Sequence, residues 1–169
     1  WADNAVIDGE VDAVASPSVT APGNVQQLAQ WISERTGGDL FSIQTSVVYP
    51  TDGGELIDYA AQEQDENARP ELTSHIENLD QYDTIFVGYP NWWADLPMAV
   101  YSFFDEYDFS GKTIIPFNVH NGSRFSRTIE TIQELEPNAT VIEDGFTVSE
   151  QNVPEAADDV ASWLQEIGY

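Results

Sequence analysis

Three short stretches of this 169-residue chain carry residue types that could hold a ligand or do chemistry. The first is Ser18-Val19-Thr20-Ala21-Pro22-Gly23-Asn24-Val25, which leads into a helical pattern. The start of a helix offers free backbone N–H groups and the positive end of its dipole, which suits a phosphate. Gly23 would let the backbone approach closely, although Pro-Gly-Asn also serves as a plain turn and cap. The second is Gly88-Tyr89-Pro90-Asn91-Trp92-Trp93-Ala94-Asp95-Leu96-Pro97. Its two indoles either plug the top of the core, or one of them stacks on a flat ring system. The third is Val119-His120-Asn121-Gly122-Ser123-Arg124-Phe125, which offers backbone donors from a Gly turn, a hydroxyl and an aromatic ring. His120 is a candidate acid/base group or a hydrogen-bonded part of the scaffold.

Other chemistries find no support. The chain has no cysteine, so disulfides, thiolate metal sites and cysteine nucleophiles are excluded, and redox work needs a bound cofactor. It has no HExxH, GxSxG or Walker-type motif. Acidic residues number 30 against 5 basic ones, for a net charge of −25, so any single pair of carboxylates says little about catalysis. No catalytic acid or base and no metal ligand is assigned. Such a surface repels phosphate backbones and anionic lipid, which argues against nucleic acid and membrane and in favour of a basic protein partner. No apolar run approaches the roughly 18 residues of a membrane span. The compartment stays open, cytoplasmic or extracytoplasmic after removal of a signal, and so does the oligomeric state.

The elements that must position these loops follow from periodicity. Residues 1–22 read as a long loop or insertion within a single domain spanning 1–169. Asn24 is a plausible N-cap, Val25, Leu28, Ala29 and Ile32 repeat at helical spacing, and Gly37-Gly38 ends that helix. Phe41 and Ile43 alternate in a predicted strand at 39–45. A helix is predicted over Glu55–Asp65. Thr84-Ile85-Phe86-Val87-Gly88 and Lys112 to Val119 read as strands buried on both faces. Pro97 opens a helix between them, and Phe125, Ile129, Ile132 and Leu135 mark the next. Val141-Ile142 and Phe146-Thr147-Val148 form a strand broken at Asp144-Gly145, and Pro154 opens a last helix. Strands alternating with helices imply parallel pairing through crossovers, hence a three-layer α/β sandwich. Ligands of an open parallel sheet bind beyond the carboxyl ends of its strands, which is where the three stretches fall.

Together the stretches resemble flavodoxin-like FMN-binding proteins. Tyr82-Asp83-Thr84-Ile85-Phe86-Val87-Gly88-Tyr89-Pro90-Asn91-Trp92-Trp93 followed by Pro97 is similar to that family's central segment. Tyr107-Asp108-Phe109-Ser110-Gly111-Lys112-Thr113-Ile114-Ile115-Pro116-Phe117 continues it, and His120-Asn121-Gly122-Ser123 resembles the family's Gly-Gly-Ser turn. Gly37 to Ile43 and Asn67 to Leu72 are similar too. The resemblance implies a parallel sheet in the order 2-1-3-4-5 with FMN at the strand tips. Thr20, Gly23, Asn24 and Val25 would then meet the FMN phosphate. Pro90, Asn91, Trp92 and Trp93 would line the isoalloxazine. Asn121, Gly122 and Ser123 would close its pyrimidine side, with Phe125 near. The family's phosphate loop usually reads Ser/Thr-x-Thr-Gly-Asn-Thr, so Val25 replaces a hydroxyl. An insertion over about Ala2 to Pro22 splits that loop, and the family's N-terminal strand is expected to lie outside this chain.

On this resemblance the expected function is electron transfer by bound FMN, docked on a redox partner with a basic surface. A stacked Trp and surrounding acids would disfavour added negative charge on the ring and lower its potential. Two other functions fit the same residues. One is an FMN-dependent reductase passing hydride from NAD(P)H to a quinone-type acceptor, with Arg124 and Arg127 the only cations near the site. The other is a flavodoxin-like binding module that has lost its cofactor.

Overall fold

A computed structural model describes residues 23–50 and 52–169; the loop expected at 1–22 and Thr20 lie outside the described residues. The first element, α1 (Asn24–Thr36), is capped one residue earlier than expected, by Gly23. It ends where Gly37 turns left-handed, with φ +73°, and donates its N–H to the Ser33 carbonyl at 2.8 Å. Helix α2 (Gly53–Asp65) begins at Asp52, whose carboxylate accepts the Glu55 N–H at 3.0 Å. Then follow β1 (Thr84–Pro90), α3 (Met98–Glu106), β2 (Thr113–His120), α4 (Thr128–Leu135), β3 (Thr140–Val141), β4 (Phe146–Ser149) and α5 (Ala157–Glu166). Pro154 sits in a 3₁₀ stretch, Glu150–Glu155, and α5 starts after it.

All pairing in the sheet is parallel. β2 lies between β1 on one edge and β3 and β4 on the other, with Val87 beside Pro116 and Gly88 beside Phe117. Side chains of β2 alternate by layer, as a strand's must. Ile115, Phe117 and Val119 join Leu28 and Ile32 of α1 and Val160 and Leu164 of α5 in one core. Ile114 faces the other way, into a second core with Val87 and Tyr89 of β1, Val100, Phe103 and Phe104 of α3 and Ile132 of α4. The result is a three-layer, open α/β sandwich.

The break between β3 and β4 has a chemical cause. Ile114 accepts the Ile142 N–H on the β3 side, whereas Val119 accepts the Asn91 N–H on the β1 side. Hydrogen-bonding direction alternates along a parallel strand, so Pro116 faces the β3/β4 side, where it has no N–H to give. The outer strand departs there, at residues 142–145. A Cβ on Gly145 would lie 2.4 Å from the Pro116 carbonyl oxygen, so only glycine passes that point.

One predicted strand is corrected. Residues 39–45 do not enter the sheet. Their hydrogen bonds run to the 71–74 segment, with Ser46 N–H on Glu71 O at 2.9 Å, Thr73 N–H on Gln44 O at 2.8 Å and a single antiparallel bridge from Thr45 to Leu72. The alternation of Phe41 and Ile43 is real, but a strand also needs a neighbour, and the segment stands apart from β1 with Leu40 and Phe41 exposed. Between them, alongside the β1 edge that faces away from β2, runs an apolar groove of about 770 Å³ walled by α1, β1 and residues 38–43. The expected order 2-1-3-4-5 puts its first two positions on this side of β1.

Two predictions follow from packing and charge. Gly88 lies against the Phe117 ring so closely that a Cβ would sit 2.2 Å from it. Gly88→Val should therefore cost about 1–3 kcal/mol in urea unfolding, and an unchanged midpoint would refute that contact. Burial pushes the Glu150 carboxyl up to about 7, and burial with the nearby Asp108 and Asp105 does the same to Glu136. Folded carboxyls that hold protons more tightly than unfolded ones lose their stabilisation as pH rises through 7. Thermal stability should thus be higher near pH 5 than near pH 8, and Glu136→Gln with Glu150→Gln should flatten the difference.

Candidate functional site

The carboxyl ends of β1 and β2 and the first turn of α1 meet at one end of the groove. Gly23, Asn24, Val25, Pro90 and Trp92 all line it there, joined by Tyr49. The Gly23 N–H donates to the Gln26 side chain at 3.2 Å, and a glycine cap brings no side-chain acceptor of its own to the helix start. This leaves the dipole end open to an anion.

The two indoles separate. Trp92 is 4% exposed and packs edge-on against Tyr49, with ring centroids 5.6 Å apart, above Leu56 and Ala60 of α2. Trp93 is 54% exposed, and its indole N–H donates to the Ile57 carbonyl at 2.9 Å. The chain reverses between them and Asp95. Trp92 and Asp95 exchange both backbone hydrogen bonds at 3.0 Å, and Trp93 and Ala94 take φ values of +51° and +60°. Two successive positive φ angles in a two-residue reversal are the type I′ pattern, usually left to Asn and Gly. The reversal is held from outside: the Asp95 carboxylate accepts the Leu96 N–H at 2.7 Å and the Tyr101 hydroxyl at 2.8 Å. Burial and this carboxylate push the Tyr101 hydroxyl far above its ordinary value.

Behind Trp92 lies a pair that periodicity did not reveal. The Tyr49 hydroxyl donates to the Glu63 carboxylate at 2.9 Å, and both residues are buried. Burial raises the Glu63 carboxyl, the Tyr49 hydrogen bond opposes that rise, and the Glu66 charge adds to it. Nothing local in the sequence links residues 14 apart in a loop and a helix.

The third loop is fastened to the second. Asn91 is 4% exposed, and its side-chain Nδ2 reaches Ser123 Oγ at 2.8 Å, the Arg124 carbonyl at 2.9 Å and Ser126 Oγ at 3.1 Å. The carbonyl can only accept, so it fixes which end of the amide is the donor. His120 is buried, and its Nδ1 accepts the Gly122 N–H at 2.8 Å. Burial, then the Arg124 charge, lowers its basicity, so it is a neutral scaffold member at pH 7. Asn121, Gly122 and Ser123 are exposed at the strand tips. The Phe125 ring turns back against Gly145 and the α4-side core. Asn118, fully buried in mid-strand, also binds the Arg124 carbonyl, at 3.0 Å. An asparagine inside an apolar run is the signal that could have singled it out, because a buried amide needs partners. Among the described residues no cluster of three or more His, Asp or Glu could hold a metal ion, and no helix is long and apolar enough to cross a membrane.

An open parallel sheet flanked by helices, with loops converging beyond its strand tips, defines a class of α/β ligand-binding domains. Within that class the chain belongs to the flavodoxin family, whose model matches residues 14–167. A candidate flavoprotein from Bacteroides uniformis is 27% identical, with 86% of this chain and 93% of that one covered and a TM-score of 0.75. One from Bacteroides eggerthii is 24% identical over 89% and 94%, with a TM-score of 0.73. A flavoprotein from Lactobacillus acidophilus, solved in complex with FMN, shares the fold at 18% identity over 78% and 89%, with a TM-score of 0.61. No curated protein matches the chain.

The strained reversal yields a prediction. A left-handed conformation costs a non-glycine residue roughly 1–2 kcal/mol, so Ala94→Gly should stabilise the fold by about 1 kcal/mol in denaturant titration. A destabilised variant would refute the assigned backbone.

Proposed function

We propose that this chain binds FMN and works as a small electron-transfer protein that docks on a basic redox partner. The observation that carries the reading is that the glycine-capped start of α1, Pro90 and the indole of Trp92 line one end of the groove, while Asn91 ties the glycine turn to the loop that follows β1. The residues present suit the group. Thr20, Gly23, Asn24 and Val25 would hold the phosphate, with Val25 contributing its backbone only. Pro90, Trp92 and Trp93 would flank the ring, and Asn121, Gly122 and Ser123 would close its pyrimidine edge.

FMN supplies the electron store when bound, and the protein supplies position and field. Trp92 cannot rotate away while Tyr49 and Leu56 pack it. Trp93, anchored at one atom and open elsewhere, can cover a planar ligand and exclude water from it. The net charge of −25 opposes added negative charge nearby and attracts a basic partner. It also disfavours approach of anionic NADPH, which weighs for a carrier over a reductase.

The test is a titration of the protein with FMN and with riboflavin. Saturable quenching of FMN fluorescence is expected, with riboflavin at least about tenfold weaker because charge-assisted bonds to the phosphate are lost. Absence of binding overturns the reading. Steady-state NAD(P)H oxidation with a quinone acceptor would replace the carrier by the reductase.

A further inference from the structure

The loop that would close the ligand site holds an unfavourable backbone. Gly122, Arg124 and Ser126 have φ values of +108°, +54° and +51°, and two of the three are not glycine. Such conformations persist only where surrounding contacts over-determine them. Here the contacts converge on one atom. The Arg124 carbonyl accepts Nδ2 of Asn91, from the end of β1, at 2.9 Å and Nδ2 of Asn118, from β2, at 3.0 Å. Asn118 cannot turn its amide over, because the Arg124 carbonyl can only accept, and its Oδ1 in turn accepts the Thr147 hydroxyl of β4 at 2.5 Å. The neighbouring carbonyls are held as well. Ser123 O accepts the Ser126 N–H at 3.1 Å, and Phe125 O accepts Thr128 through its N–H at 3.0 Å and its hydroxyl at 2.6 Å.

We infer that Asn91 and Asn118 are positioning residues that clamp the 121–126 loop in its ligand-meeting conformation, an inference that rests on the function proposed above. By drawing the Arg124 carbonyl inward they commit that acceptor to the protein, as Ser126 and Thr128 do for the Ser123 and Phe125 carbonyls. The N–H groups of Ser123, Arg124 and Phe125 stay uncommitted among the described residues. The two amides come from different strands, so the clamp also ties the loop's position to the β1–β2 register. A packing role alone would be met by leucine, which has nearly the same shape and leaves no buried polar atom to satisfy.

The experiment compares wild type with Asn118→Leu, Asn91→Leu and Asn118→Asp by hydrogen exchange, without ligand, of the Gly122 and Ser126 amides, whose N–H groups are bonded to His120 Nδ1 and the Ser123 carbonyl, and by FMN affinity. Both leucine variants should exchange about tenfold faster in that loop, with α1 and α5 unchanged, and bind FMN about tenfold more weakly. Asn118→Asp supplies a readout that packing would not move. Its ionised carboxylate repels the Arg124 carbonyl, whereas its neutral carboxyl can donate an O–H to it. Loop protection should therefore recover as pH falls in Asn118→Asp and not in Asn118→Leu, which shares the same His120 and Arg124 and controls for their charges. Unchanged loop exchange in the leucine variants, or no pH response in the aspartate variant, overturns the clamp. If Asn118→Leu does not fold, Asn91→Leu decides. If wild type ignores FMN, the proposed function falls while loop exchange still judges the clamp.

Discussion

Hydrogen bonding along both edges of β2 is the constraint from which the rest of the molecule hangs. Thr113 to His120 is covered on both faces and paired on both sides, so its backbone has no freedom left to trade. β1 takes its register from it, and with that register comes the height at which Pro90, Asn91 and Trp92 leave the sheet. The third loop begins at its last residue. Even the irregularity of the outer strand is set here, because Pro116 withholds one donor and Gly145 is the only residue type that fits against it.

The strand tips carry most of the backbone strain, and the compensation is specific. Trp93, Ala94, Arg124 and Ser126 account for four of the five non-glycine residues with positive φ among the described residues. Each reversal is gripped by polar groups: Asp95 with Tyr101 on one loop, Asn91 and Asn118 on the other. Strain held by buried hydrogen bonds gives a surface that is set before a ligand arrives. That lowers the ordering cost of binding, since the loops need not be frozen at that moment.

Electrostatics act on a longer scale. With 30 acidic and 5 basic residues, the molecule repels itself. Burial raises the Glu136 carboxyl, with the Asp108 and Asp105 charges adding to it, whereas burial alone raises Glu150. Among the described residues the one buried cation is Lys112, whose ammonium donates to the Tyr82 carbonyl at 2.6 Å. The outward field is therefore almost wholly negative, which suits encounter with a basic surface and is weakened by salt.

What the sequence determined by itself was whatever depends on neighbours along the chain. Apolar runs marked β1 and β2, helical spacing marked α1, and Asp144-Gly145 marked the break in the outer strand. The indole pair and the Asn-Gly turn were legible as site material from residue type alone. Tertiary structure decided the rest, because those features depend on neighbours in space. Phe41 and Ile43 alternate like a strand, yet whether they form one turned on a partner across the groove. Trp92 and Trp93 are identical in type and adjacent in sequence, and only the positive φ of the second and the packing of α2 sent one inside and left the other exposed. Tyr49 with Glu63, and Asn118 with Arg124, became partners through contacts that no local pattern encodes, since a hydrogen bond is specified by where two atoms end up.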